Sequence, residues 1–145
     1  MSTIKVDTYL TRGGASEIAI DKLKGASSAG SMTVVAEGGT TTTNLQQGLC
    51  KWWIKYDQDT PTTNDSFNVS SLSDEEAGKS KPVYTNNMGN ANYCVSIIHQ
   101  AELTNTGSTE YTVSQATNTT ELRTIENSGL RDKGNAAAFA VGDLA

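Results

Sequence analysis

The run Cys50–Tyr56, CKWWIKY, constrains the fold more than any other part of the chain. At period two, Cys50, Trp52, Ile54 and Tyr56 share one face and Lys51, Trp53 and Lys55 the other. A helix through Leu45, Leu49, Trp52 and Tyr56 competes with this reading. Gly48 interrupts that helix, and Trp, Ile and Tyr fit a pleated, half-buried surface, so a strand is expected from Cys50. Adjacent strand residues point to opposite faces. One of Trp52 and Trp53 should therefore enter the core, while the other faces outward or into a subunit contact. Upstream, Ser31–Ala36 reads as a short strand and Glu37–Thr43 as a flexible glycine–threonine joint. Asn44 can cap about one helical turn, with Gln47 three residues on as a capping-box partner.

Downstream, after a loop over Asp57–Asp65, strand-like pieces recur at short intervals: Ser66–Leu72, Lys81–Thr85, Tyr93–Leu103, Thr109–Ser114, Glu121–Glu126 and Ala136–Val141. Turn-forming residues separate them, over Ser73–Lys79, Asn86–Asn92, Thr104–Ser108, Thr117–Thr120 and Asn127–Asn135. Many short strands spaced by turns predict an all-β fold, an antiparallel sandwich of jelly-roll type. Ahead of it, Ile4, Val6, Thr8 and Leu10 alternate on one face of a lone N-terminal strand, and Glu17–Lys24 fits either helix or strand. The expected division is an extended N-terminal arm and linker over residues 1–42 and a β-sandwich over 43–145.

Composition narrows the function. Leu, Ile, Val and Phe supply only 26 of the 145 residues, a thin core for one domain, which suggests that some surface is buried against another subunit. The net charge of −5 is too small for wholesale disorder, and its sign argues against a nucleic-acid partner. No apolar run is long enough to span a membrane as a helix, and MSTIKVDTYL lacks the pattern of a secretory signal. Without secretion, Cys50 and Cys94 are expected to be buried thiols, with a disulfide only if their strands are neighbours. The same reasoning makes the N-x-Ser/Thr triplets at Asn64, Asn68 and Asn118 accidents of composition.

Reactive constellations are not apparent. His99 is the single histidine, and no nucleophile-elbow motif surrounds any serine, so no catalytic residue is assigned and an enzyme is not expected. Cys and His lack the close pairs zinc needs, and Asp57, Asp59 and Asp65 share a loop without EF-hand spacing, so no metal or cofactor is assigned. Trp52, Trp53 and Tyr56 are the candidate interface or ligand aromatics, since an exposed aromatic can stack on a sugar or anchor an interface.

The stretches GTTTTNLQQGLCKWW, DSFNVSSLSD and MGNANYCVSII resemble a family of tail-fibre and virion-attachment proteins of tailed bacteriophages, particularly marine ones. The start, MSTIKVDTYLTRGG, and the end, AAAFAVGDLA, are similar to the family's termini, and the likeness is most specific over residues 30–98. One departure is the hairpin SDEEAGKSKPVYTNN, where a Gly-rich turn and an aromatic strand are usual; Pro82 places its strand at a sheet edge or at a strand start. The resemblance implies a structural virion protein without enzymatic role, homotrimeric, located on the tail or capsid surface. Its arm, through Ile4, Val6 and Leu10, would add a strand to another virion protein. Its β domain would project and recognise a host-surface glycan. The rival within the same resemblance is a capsid decoration protein, because the chain is short for a fibre and carries no shaft repeats.

Overall fold

The computed structural model describes residues 21–23, 25, 31–99, 108–126 and 129–144, and of His99 and residues 108–113 the backbone alone. The expected arm residues Ile4, Val6 and Leu10 lie outside this set, as does most of Glu17–Lys24. The chain is an all-β, antiparallel sandwich. A two-stranded ribbon of β1 (Thr33–Val35) and β2 (Thr42–Asn44) leads into the one-turn helix α1 (Leu45–Gly48). Two sheets follow. One has the order β4 (Thr62–Phe67), β3 (Cys50–Asp57), β11 (Ala136–Val141), β7 (Cys94–His99). The other runs β10 (Gly129–Leu130), β9 (Thr120–Glu126), β6 (Lys79–Tyr84), β5 (Val69–Glu76), with β8 (Ser108–Gln115) also paired to β9. No helix among the described residues is long and apolar enough to cross a membrane.

The strand reading of Cys50–Tyr56 holds from Trp52 onward, but a bulge reverses the first two residues, leaving Cys50 exposed and Lys51 buried. Trp52, Ile54 and Tyr56 are buried, while Trp53 and Lys55 face outward. The inner faces meet in one core, where Trp52, Ile54, Tyr56 and the alanines 136, 138 and 140 pack against Tyr84 and Leu122 of the second sheet. Small alanines on β11 leave room for the rings of β3 beside them. Trp52 stacks on Tyr84 across the sheets at 5.1 Å between ring centroids. Behind that pair, the hydroxyls of Tyr84, Tyr93 and Thr120 hydrogen-bond to one another, so the aromatic core carries a satisfied polar centre. At one end of the core sits a polar cluster. Gln58 Oε1 accepts from Thr124 Oγ1 and the Lys133 backbone N–H, and Lys133 Nζ lies 2.7 Å from Glu126 Oε2, both side chains buried.

Several sequence expectations are corrected. Ser66–Leu72 is two strands, not one. Asn68 adopts φ 58°, a left-handed conformation that Asn tolerates, and turns the chain from the first sheet into the second. Its amide fixes the corner: Nδ2 donates to Lys51 O and Asn86 O, and Oδ1 accepts from the Asn86 backbone N–H. The loop after Asp57 ends sooner than expected, because β4 begins at Thr62. The expected turn Ser73–Lys79 is mostly strand, with β5 continuing to Glu76 and only Ala77 and Gly78 between the paired Glu76 and Lys79. Glu37–Thr43 is not a free joint but the turn of the β1–β2 ribbon, closed by Ala36–Thr41 and Gly39–Ala36 backbone hydrogen bonds, and the expected boundary at residue 42 falls inside that ribbon.

Pro82 is not at an edge. Its strand, β6, lies between β5 and β9. The β6–β9 ladder pairs Lys79 with Arg123 and Ser80 with Leu122, skips two residues, and resumes in the same register at Val83 and Thr119. An interior proline is tolerated because the ladder lapses where its N–H is missing, and Thr119 Oγ1 donates to its carbonyl instead.

Candidate functional site

In a sandwich one face of each sheet builds the core and the other is expected to be polar. The five-stranded sheet obeys. Its outer face carries an ionic mosaic of Lys81 with Glu75 and Glu121, Arg123 with Glu121, and Lys79 with Glu76. Ser73 and Lys81 hold the Glu75 carboxyl below the usual carboxylate range through hydrogen bonds.

The four-stranded sheet does not obey. Trp53 pairs directly with Phe67 on one side and with Phe139 on the other, and Phe139 pairs with Ser96. Directly opposed residues project to the same face, so Phe67, Trp53 and Phe139 form a ring row across three adjacent strands. All three face solvent, with exposures of 53%, 36% and 40%. The next row is Asp65, Lys55, Ala137 and Ile98, and Ile98 is 60% exposed. The row on the other side is Cys50, Val141 and Cys94. A bulge at Lys51 brings Cys50 onto this face, since Trp52 pairs with Ala140 and Cys50 with Val141. Each of the four strands thus contributes at least one apolar side chain to the outer face; Lys55 and Asp65 stand opposite each other within it, and Asp57 lies at its edge opposite Thr62.

The aromatics named from the sequence therefore separate. Trp53 lies at the centre of this face. Trp52 and Tyr56 are fully buried, which corrects their candidacy as ligand-contacting residues: the same alternation that exposes Trp53 commits them to the core. Burial pushes the Tyr56 and Tyr84 phenols well above their ordinary range. Phe67 and Phe139 were missed. They sit far from Trp53 in sequence and become its neighbours only through register; the alternation of AAAFAV, with one large residue among small ones, was the available signal.

Cys50 and Cys94 are free and exposed, not buried. Both flank Val141 from opposite sides, so two strand spacings, about 10 Å, separate them, beyond disulfide reach. Beside Cys94 opens a polar cleft of about 240 Å³, lined by Gln47, Asn90, Asn92 and Asp143 among others. Gln47 Nε2 donates to Asp143 Oδ2 across it. Of the acidic residues of the Asp57–Asp65 segment, Asp57 and Asp59 come together and Asp65 stands apart. Asp57 and Asp59 lie against Gly134, Asp57 accepts from the Thr60 N–H, and Asp65 stands in β4 opposite Lys55. Among the described residues no cluster of three metal-ligating side chains occurs. His99 ends β7, opposite Ala136.

Compared with protein-family models, curated proteins and solved structures, this chain matches none.

Proposed function

We propose that this chain is a structural protein of a tailed-bacteriophage particle, a tail-fibre or receptor-binding component that works through its surfaces and not through a reaction. The observation that carries this reading is the apolar outer face around Trp53, which a sandwich standing alone in water would not be expected to present. The resemblance of NLQQGLCKWW and DSFNVSSLSD to virion-attachment proteins supplies the kind of assembly. On this reading the segment with Ile4, Val6 and Leu10 mounts the protein on another virion protein. The β-sandwich then meets the host surface, and the amide- and carboxylate-lined cleft at Gln47, Asn90, Asn92 and Asp143 suits the hydroxyls of a glycan.

Electron cryo-microscopy of the intact particle, with mass spectrometry of its purified proteins, tests the reading. The chain should be found in the particle, at the tail in few copies. Many copies on the head would assign it to capsid decoration, and absence from the particle would remove the reading altogether. Deleting residues 1–14 should release the protein from the particle.

A further inference from the structure

We infer that the outer face of the β4–β3–β11–β7 sheet is the contact through which copies of this chain associate with one another. The inference rests on the reading of the chain as a component of an assembly, and it names the surface and the occupant.

Size, charge and shape each point to a further copy as the occupant. Four strands about 4.8 Å apart and some six residues long make a face roughly 20 Å on each side. Apolar side chains reach across all four strands of it, from Phe67 to Ile98, and are not confined to one groove. That footprint matches the apolar centre of a standard interface of about 800 Å² per partner, with turns and strand ends left to form the rim. A sugar would cover only the ring row of Phe67, Trp53 and Phe139 and leave Ile98 and Val141 in water.

The chain carries a charge of −5 overall, so copies repel through most of their surface. This face is the exception. At its centre Lys55 and Asp65, one of each sign, are directly paired, and Asp57 stands at the end of β3. The face thus carries far less charge than the chain as a whole, and two copies meet there with little repulsion. A strongly acidic or basic partner would gain nothing from it. The ionic face of the other sheet offers the contrast, since desolvating Glu75, Lys81, Glu121 and Arg123 would be costly.

In shape, a pleated sheet face packs best on another sheet face, about 10 Å away with side chains interdigitated. A second copy brings that surface with the matching alternation of large rings (Trp53, Phe139) and small residues (Ala137, Ser96).

The test uses the full chain and four variants. Trp53→Lys and Phe139→Glu place a charge at the centre of the face, Phe67→Ser removes a ring at its edge strand, and Ser71→Glu places a charge on the opposite sheet's exposed strand as a control. Sedimentation across a concentration series should show the full chain and Ser71→Glu assembled. The three face variants should dissociate roughly thirtyfold more readily, the scale of losing one central aromatic anchor. Circular dichroism and thermal melts identify any variant that fails to fold. The native chain stays informative whatever its variants do, because a thiol–thiol cross-linker should join copies through Cys50 and Cys94 at the border of the face. A full chain that is monomeric at every concentration overturns the inference. So does a face protected only when residues 1–30 are present, or only when a host glycan is added without change of mass. If the chain is found on particles yet is monomeric with this face open, the inference fails and the virion reading stands. If the chain self-associates through this face but is absent from particles, the inference stands and the virion reading fails.

Discussion

Trp53 of β3 and Phe139 of β11 are direct cross-strand partners on the outside of the sandwich, while their neighbours Trp52 and Ala140 pair on the inside. One register thus builds both surfaces of the sheet. The inner pair joins a core with Tyr84 stacked on Trp52, and the outer pair begins an apolar face that the fold itself does not need. Removing an outer ring should therefore leave the stability of the dissociated chain within about 0.5 kcal/mol, whereas truncating Trp52 to Ala should cost roughly 3–5 kcal/mol. Chemical denaturation of the two variants separates the roles, and equal losses would deny the distinction.

Gly78 is fixed by its surroundings. Its φ of 68° is left-handed, and a Cβ there would stand 2.5 Å from the Arg131 backbone N and 2.6 Å from Thr124 O. The tight β5–β6 turn is consequently clamped under the segment leading to β11, with Gly78 N–H donating to Asp132 Oδ1 and Gly78 O accepting from Thr124 N–H. Gly78→Ala should lower stability by about 2 kcal/mol or more, beyond the cost of the φ angle alone, because backbone must move. A melting temperature within a degree of the parent would show that the turn yields freely.

The buried pair of Lys133 and Glu126 makes a separate prediction. Arg131 Nε also reaches Glu126 Oε2, at 3.2 Å, but from a largely exposed side chain. Lys133→Met removes the buried cation 2.7 Å from the Glu126 carboxylate and should destabilise by about 3 kcal/mol. The double variant Lys133→Met, Glu126→Leu should recover much of the loss, since both charges are then gone. Equal stability of the single and double variants in urea would contradict this view of the cluster.

Alkaline pH should unfold the protein in a specific way. Burial raises the Tyr56 and Tyr84 phenols, and the Tyr56 hydroxyl has no hydrogen-bond partner among the described residues. Both stay protonated in the folded chain at pH values where the unfolded chain ionises them. The stability they contribute is fully present below about pH 10 and falls as pH rises above it, by up to about 1.4 kcal/mol per pH unit for each phenol. Phenolate absorbance should lag for these two rings until unfolding, and Tyr56→Phe should flatten the stability slope. Early titration of both rings in folded protein would refute their burial.

Local physics in the sequence reached further into the core than into the site. Period-two alternation put Trp52, Ile54 and Tyr56 on one face and Trp53 on the other, leaving open which face is the core, and Asn44 does cap α1, its Oδ1 accepting from the Gln47 N–H. The strand boundaries around Asn68 and Gly78 were not legible, because Asn-Val-Ser-Ser continues a strand pattern in sequence and only the left-handed φ of Asn68 breaks it. Pro82 misled for a related reason: the rule that puts proline at an edge presumes an unbroken ladder, and this ladder lapses locally. The apolar face was hidden because Phe67, Trp53 and Phe139 belong to three strands whose order, β4–β3–β11, no local pattern encodes. Cys50 was misjudged because a β-bulge at Lys51 turns it outward, and Cys94 because it opposes Val141 on the outer face of β11.

The most direct measurement is the accessibility of Trp53 itself. In a Trp52→Phe chain, Trp53 is the sole tryptophan, so iodide quenching of its fluorescence reports whether the outer face is covered. Association through this face predicts a protected Trp53 in concentrated protein that becomes quenchable on dilution, in step with the loss of assembled mass. A Trp53 equally open to iodide at every concentration, and in the intact particle, would contradict it.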